Sequence, residues 1–378
     1  MSLIKKIKWT IISSCFILLF TIFLIVINVL KNNAYFAEFW TINVARPINN
    51  IVGHISSFIP FSLTEFFFIN LFLLIIMFLV FFIVYLKKKK VISATNQLLN
   101  IAFTILLTIS CYTFSCGLAY NRLPLPIVLN NEGNKEEYLD VINYYTDDLN
   151  SCTSQLSFKS SGDVISPYSF KQINKLVQDA YHILDGNNYY ASFTSSSKKM
   201  LSSFIYREFQ ITGVTFSPFN EANINTLNVT CDIPFTIAHE LAHTKGVMRE
   251  EDANFLATYV LLKSDNYYLR YSAYMRTYYQ ILSVASYTDN KDDYAIIYQS
   301  IAENFLKNQS YNKQYWKDHD ALEKISTFFN NLYLKVSGEK EGVASYEGGT
   351  YYHYDEEEKK LIPSKYQKLY FSIYYGEL

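Results

Sequence analysis

The sequence has no excess of charge of either sign, because 33 Lys and Arg residues are balanced by 34 Asp and Glu residues. The net charge of −1 provides no basic surface of the kind that binds nucleic acid. Histidine and cysteine are scarce, with six and five residues in a chain of 378. No internal repeat is present. These absences exclude a nucleic-acid partner and a repeat architecture.

Half of the residues are hydrophobic, and three long apolar runs account for most of the excess. The runs are Trp9–Leu30, Phe66–Leu86 and Ile101–Ala119. Each has about the 20 residues needed to span a bilayer core, and none contains a formal charge. One such run could be a buried core helix, but three in succession, flanked by lysines, predict transmembrane helices. The first is longer than a signal-peptide core and lacks a following cleavage site.

The distribution of lysine predicts the orientation of these spans. Three lysines precede the first span and four follow the second, whereas the loop 31–65 has only two basic residues. The positive-inside rule therefore places the N-terminus and the lysine-rich loop in the cytoplasm. We expect a membrane domain at 1–120, embedded in the plasma-membrane bilayer, and an extracytoplasmic domain at 121–378. The proline-rich "NRLPLP" at 121–126 marks the boundary.

The C-terminal two-thirds predict an α+β fold that is mainly helical. Several segments have apolar residues at helical spacing, and β-branched and aromatic residues at 209–230 predict short strands broken by Pro218 and Asn220. Cys152 and Cys231 lie on the expected outer side, where a disulfide can persist. The sequence leaves their pairing open.

The segment "PFTIAHELAHTKGVMREEDANF", residues 234–255, predicts a metal site. In a helix that ends at Gly246, His239 and His243 lie on one face, on consecutive turns. Two imidazole nitrogens so placed can reach one zinc ion at about 2.0–2.1 Å. Glu240 then lies beside the metal, where it can take a proton from a zinc-activated water. With so few histidines, a chance His-Glu-x-x-His has a probability on the order of 1% or less; the alternative is a pair of core histidines.

A catalytic zinc needs a third protein ligand, and three acidic residues follow His243 closely. Among them, Glu250 shares a helical stripe with small residues and with Asn254, which could hydrogen-bond a ligand histidine. Glu251 and Asp252 point elsewhere and favour the start of the helix. We therefore predict one Zn²⁺ per chain with three ligands: His239, His243 and Glu250.

The motif region also resembles a known family. The stretches "HELAHTKGVMREEDANFLA" and "SPFNEANIN", together with three N-terminal spans, are similar to the bacterial membrane family DUF3810. This resemblance implies a zincin-type metallopeptidase domain with a small β-sheet. Glu251-Asp252 stands where the family usually has Asp-Glu. The Glu-x-x-Ala-Asn spacing is similar to that of gluzincin-type membrane peptidases and favours Glu250 as ligand.

In peptidases of this fold, an edge strand before the zinc helix pairs with the extended substrate. The segment "FNEANINTLNV" is placed to supply that strand, with four expected contact residues: Asn220, Glu221, Ala222 and Asn223. A donor for the tetrahedral oxyanion is also expected. The candidates are Tyr271, Tyr274 and Tyr346.

The sequence therefore predicts a membrane-anchored zinc metallopeptidase that hydrolyses peptide or protein substrates with Glu240 as general base. Two alternatives remain open: a zinc-binding sensory or binding module without catalysis, and a structural membrane protein without metal. An intramembrane protease is disfavoured because the segments around the motif are too short to cross a bilayer. Substrate identity and oligomeric state are not predicted.

Overall fold

The computed structural model describes residues 3–129, 137–287, 292–347, 353–355 and 360–378. This part of the chain is mainly helical and contains small sheets, as predicted. It forms two compact units. The first comprises the residues up to Pro124 together with Phe216–Glu221, and the second comprises Leu125–Thr215 and Ala222–Leu378. The predicted boundary near residue 120 does not anticipate that Phe216–Glu221 belongs to the first unit.

The first unit consists of helices and contains three that are long and apolar enough to cross a membrane, in the predicted order. The third begins at Val91 rather than at residue 101. Its first turns are more polar because they hydrogen-bond the first helix: Thr10 Oγ1 donates to Asn96 Oδ1 at 2.6 Å. The helices are α1 (Leu3–Leu30), α2 (Ala34–Trp40), α3 (Arg46–Ser57), α4 (Leu63–Lys87) and α5 (Val91–Tyr112).

A π-helical turn, Thr113–Gly117, continues α5. Such a turn interrupts the regular helical hydrogen bonds, and side chains can satisfy the carbonyl groups that it frees. Trp40 Nε1 donates to Phe114 O at 3.0 Å, and Asn49 Nδ2 donates to Ser115 O at 2.9 Å. The α2–α3 segment is thereby fixed against the end of α5.

Glu221 caps the N-terminus of α4. Its carboxylate accepts hydrogen bonds from the backbone N–H groups of Leu63 at 3.3 Å and Thr64 at 2.9 Å, and from the Thr64 hydroxyl at 2.8 Å. A negative charge is favourable at this end of a helix because it pairs with unsatisfied N–H groups. The preceding Asn220 has a left-handed φ of +47°, which produces the chain break predicted at this position.

The later helices are mostly short and surround one apolar core. They are α6 (Tyr138–Ser154), α7 (Phe170–Ala180), α8 (Ser203–Glu208), α9 (Ile233–Thr244), α10 (Glu250–Leu262), α11 (Tyr267–Leu282), α12 (Asp293–Ser300), α13 (Glu303–Asp318), α14 (Glu323–Ser337) and α15 (Lys365–Tyr374). In this core α9 packs against α7, α10 and α11.

The strands form small sheets. They are β1 (Ser157–Phe158), β2 (Val164–Ile165), β3 (Lys198–Lys199), β4 (Gly213–Phe216), β5 (Glu221–Ile224), β6 (His353–Asp355) and β7 (Lys360–Ile362). Two sheets, β1–β2 and β6–β7, are antiparallel pairs. The third has the order β3–β5–β4, with β3 and β5 parallel. Within the described sheet β5 is therefore central and not the edge strand expected at residues 220–223; the two edge strands are β3 and β4.

Tyrosines of α11 belong to the core of the second unit. Tyr271 and Tyr274 are fully buried, and their hydroxyl groups donate to Asn308 Oδ1 at 2.9 Å and Asp148 Oδ2 at 2.6 Å. A buried tyrosine needs such a partner for its hydroxyl group. Cys152 and Cys231 are buried free thiols, so the pairing that the sequence left open is not formed.

Candidate metal centre

Helix α9 presents the two motif histidines from the middle of the core. Pro234 lies in its first turn, where the missing N–H costs no hydrogen bond. The helix ends before Gly246, whose φ of +89° suits glycine. Every residue of α9 except His239 is buried. The sequence prediction of this helix and its stop agrees with the structure.

Two hydrogen bonds fix the histidine rings. His239 Nδ1 lies 2.8 Å from Asn254 Oδ1, and His243 Nδ1 lies 2.8 Å from Val247 O. The Asn254 amide is itself oriented, since its Nδ2 donates to Tyr346 O at 3.1 Å. Both ring partners are acceptors, so in the neutral ring each Nδ1 carries the hydrogen and each Nε2 has the lone pair that a metal ion needs.

The two Nε2 atoms and one oxygen of Glu250 converge on one point. The Nε2 atoms are 3.1 Å apart, and Glu250 Oε2 lies 3.2 Å from His239 Nε2 and 3.7 Å from His243 Nε2. Glu250 Oε2 is buried, and apart from these two histidines no described residue donates a hydrogen bond to it. Three ligands of a tetrahedral zinc ion are separated by about 3.3–3.4 Å at ordinary bond lengths. The three atoms are placed so that one metal ion can contact all of them.

The electrostatics of the cluster also favour a positive charge at this point. Burial alone lowers the pKa of His243, but the Glu250 carboxylate raises it to about 9. Burial alone raises the pKa of Glu250, but the two histidines lower it to about 2. Without a metal, a proton is held between these groups at neutral pH. A divalent cation can replace that proton.

Glu240 lies beside the cluster and is not one of the converging groups. Its Oε2 accepts a hydrogen bond from Thr215 Oγ1 at 2.7 Å, and burial raises its pKa. A Cβ atom added to Gly213 would lie 2.6 Å from Glu240 Oε1. Strand β4 therefore lies directly against this carboxylate. Thr215 and Gly213 were missed at the sequence level because no spacing relates them to the motif.

The two other acidic residues of the motif form ion pairs away from the cluster. Lys365 Nζ lies 3.0 Å from Glu251 Oε1 and 2.9 Å from Asp252 Oδ1, and Arg249 Nε lies 2.6 Å from Asp252 Oδ2. Both carboxylates point elsewhere, as their helical positions indicate. Glu250 is the one of the three that meets the histidines.

Of the three candidate tyrosines, Tyr346 is near the cluster. Partial burial and the negative charges of Glu250 and Glu240 raise its pKa well above the ordinary value. The hydroxyl groups of Tyr271 and Tyr274 are instead committed to other core residues. Position along the chain could not distinguish these tyrosines, because Tyr346 is brought to the site by the turn after α14.

A second carboxyl group, that of Glu339, also lies close to the cluster and was missed by sequence reasoning. Burial and the negative charge of Glu250 raise its pKa to about 7. Among the described residues none donates a hydrogen bond to its buried Oε1. No motif marks Glu339, because it follows α14, far from the histidines in sequence.

The four residues expected to contact substrate are buried. Asn220, Glu221, Ala222 and Asn223 are each at most 2% exposed. Glu221 caps α4, and Asn223 pairs with Lys198 of β3. The first three residues of β4 are half-buried. The strand next to Glu240 is therefore β4, which is less buried than β5.

No curated protein and no solved structure shows significant similarity to this chain. A family described as "protein of unknown function (DUF3810)" matches residues 40–351. That match covers α3 to α14, β1 to β5 and all of the converging side chains described above. The chain therefore belongs to the DUF3810 family.

Proposed function

We propose that this protein is a membrane-anchored zinc metallopeptidase whose zincin-like second unit lies outside the cytoplasm. One observation carries the proposal. Two imidazole nitrogens and a buried carboxylate oxygen converge within 3.1–3.7 Å of one another, beside a carboxylate that is not part of the cluster. This arrangement provides a metal ligand set and a separate base.

The donor set favours zinc over the common hard cations. Ca²⁺ and Mg²⁺ take oxygen ligands, whereas Zn²⁺ accepts imidazole nitrogen together with carboxylate oxygen. Three protein ligands leave a fourth position open, which distinguishes catalytic zinc from structural zinc. Asn254 and Val247 O hold the two rings in the orientation that binding requires.

The side chains around the cluster suit hydrolysis of an amide bond. Zinc, when bound, supplies a Lewis acid that makes water nucleophilic near neutral pH. The raised pKa of Glu240 suits a group that takes a proton from water and then delivers it to the leaving amine. Thr215 orients this carboxylate by its hydrogen bond. The Tyr346 hydroxyl can donate to the oxyanion that develops on the substrate.

The substrate is a peptide or protein segment in extended conformation. As the edge of the described three-stranded sheet, β4 presents main-chain groups with which an extended segment can pair. Its Thr215 contacts the candidate base, so a segment paired with β4 passes Glu240. The spans and the lysine distribution support a site on the outer face of the plasma membrane, where envelope proteins and peptides are accessible.

Metal analysis of the purified full-length protein tests the proposal. We expect one zinc per chain in the parent and none in His239→Ala, because the variant loses one of three ligands. His182→Ala is the matched control, since His182 is exposed and lies 2.8 Å from Asp185, away from the cluster. Equal metal content in all three proteins, or iron in place of zinc, would contradict the proposal.

Peptide cleavage separates the enzyme from a zinc-binding module without catalysis. A zinc-loaded protein that cleaves no member of a broad peptide library would support the module. The position of Glu240 favours the enzyme, because a purely structural site has no need of a buried carboxylate that does not bind the metal.

A further inference from the structure

The first unit contains a cavity of about 840 Å³. Its walls come from α1, α3, α4, α5 and the stretch Phe216–Glu221. Large apolar side chains form most of them, including Phe23 of α1, Leu74 of α4, Leu107 of α5 and Phe219. The volume is within the range of about 300–1,000 Å³ in which proteins enclose small ligands.

Most of the side chains with which α5 lines the cavity are small. Thr104, Thr108 and Cys111 follow one face of α5 and line the cavity. The opposite wall on α4 carries Leu71 and Leu74. Small residues on one helix normally allow a close approach of its neighbour. Here the cavity lies between these small residues and the leucines of α4.

Most polar side chains of the lining donate to the protein backbone and not to the cavity; among the described residues the Ser110 hydroxyl is an exception, being buried without a hydrogen-bond partner. Asn70 Nδ2 donates to Phe66 O at 2.7 Å, and Thr104 Oγ1 donates to Asn100 O at 2.8 Å. The hydroxyl of Thr108 donates to Thr104 O at 2.9 Å. With these donors committed, the cavity offers little to water or to a polar ligand. An apolar occupant is therefore favoured.

The part of the wall that is outside the spans is also apolar. Phe216 and Phe219 contact Phe67 of α4, with ring centroids 5.7 and 5.6 Å away. The cavity therefore lies between candidate membrane helices and beneath an aromatic cover. The solvent around those helices in a bilayer is hydrocarbon.

We propose that this cavity binds one fatty acyl chain of a membrane phospholipid. A single hydrocarbon chain needs no hydrogen-bond partner, and it can follow an irregular space lined by leucine and phenylalanine. A substrate helix or a second copy of the chain is less suitable, because the α1 and α4 walls lack the small residues that allow close helix contact. This proposal stands independently of the metallopeptidase proposal.

Photo-crosslinking of the full-length protein in lipid nanodiscs tests this site. The probe is a phosphatidylcholine with a diazirine in one acyl chain, present at about one molecule per protein chain. We expect cross-links to concentrate on peptides that contain Leu74 and Leu107. Leu74→Trp fills the cavity and should lower those cross-links on the order of tenfold, because several methylene groups lose their site.

Leu73→Trp is the matched control. Leu73 is the neighbouring residue on α4, is 57% exposed and does not line the cavity. The same added volume at this position should leave the cavity cross-links unchanged. An equal loss of the cavity cross-links in both variants would overturn the proposal. Cross-links distributed evenly over the exposed faces of the spans would show contact with bulk lipid only and would also overturn it.

A thiol measurement on the unsubstituted protein gives a second test. Cys111 of α5 and Cys15 of α1 are both exposed, but only Cys111 lines the cavity. In delipidated protein an uncharged maleimide should label both. Added phosphatidylcholine should then slow labelling of Cys111 at least severalfold more than that of Cys15. Equal slowing of the labelling of both cysteines would overturn the proposal. In the photo-crosslinking experiment, cross-links that join Leu107 to another protein segment instead of to the lipid would also overturn it.

Discussion

The Thr215 hydroxyl lies 2.7 Å from Glu240 Oε2 and 2.9 Å from Glu240 O. This one side chain joins the edge strand β4 to the helix that carries both histidines. It fixes the position of a buried carboxylate whose pKa is raised by burial. The candidate site is therefore formed by a strand and two helices and not by the motif helix alone.

Replacement of Glu240 by glutamine separates base chemistry from metal binding. We expect Glu240→Gln to retain one zinc per chain, because Glu240 is not among the converging groups. Glutamine preserves the shape and the contact with Thr215 but cannot accept a proton. Turnover of the best-cleaved library peptide should fall by a factor of about 10²–10⁴. If kcat is undiminished in this variant, Glu240 is not the general base.

Gly213→Ala tests the close approach of β4 to Glu240. The added Cβ would lie 2.6 Å from Glu240 Oε1 and 2.7 Å from its Cγ. We expect a loss of about 1–3 kcal/mol in the free energy of unfolding, as for other overpacked sites. Thermal and denaturant unfolding of the purified protein measure this loss.

The control is the same substitution in a Glu240→Ala background. Truncation of Glu240 clears the space that the new methyl group needs, so Gly213→Ala should then cost little. A double-mutant cycle isolates this coupling. If the cost of Gly213→Ala is the same in both backgrounds, the strain has another source and the close contact is not its cause.

Asn254 should affect metal affinity through the ring of His239. Asn254→Leu removes the acceptor for Nδ1 and should weaken zinc binding about 10–100-fold, as is typical for groups that orient a ligand. Asn254→Asp keeps an acceptor and should retain most of the affinity. Competition with a chromogenic chelator measures both. A similar loss in the two variants would indicate a packing role.

Tyr346→Phe should lower kcat without changing zinc content. Loss of one oxyanion donor costs a factor of about 10²–10³ in kcat. Tyr274→Phe is the control, because its hydroxyl donates to Asp148 at 2.6 Å within the core. That variant should lose about 1–3 kcal/mol in unfolding free energy while the folded protein retains its kcat. If Tyr274→Phe lowered kcat and Tyr346→Phe lowered only the free energy of unfolding, Tyr274 and not Tyr346 would be the oxyanion donor.

The number and order of the candidate membrane helices could be predicted from the sequence. A helix that spans hydrocarbon must have about 20 consecutive apolar residues, and such a run is visible in the local sequence. The start of α5 was less predictable. Its polar first turns contact α1, and a hydropathy pattern alone does not reveal a partner such as Thr10 for Asn96. The breaks at Pro218 and Asn220 were predictable from backbone conformation. The order of the sheet was not.

The sheet order shows why residues 220–223 are not an edge strand. Residues 220–223 precede the motif helix and have strand-forming composition, which predicts a strand but not its neighbours. The structure pairs Lys198 with Asn223 in parallel and leaves β4 at the edge. A pairing between residues so distant in sequence depends on how the intervening helices pack.

The sequence by itself determined which residues share a helical face. A four-residue separation orients His239 and His243 alike, and the stripe on α10 distinguishes Glu250 from Glu251. Only the tertiary structure decided that α9 and α10 meet so that these side chains converge, and that Thr215, Gly213 and Tyr346 lie near them. Helical periodicity acts over a few residues, whereas these contacts require burial of surfaces from segments that are far apart along the chain.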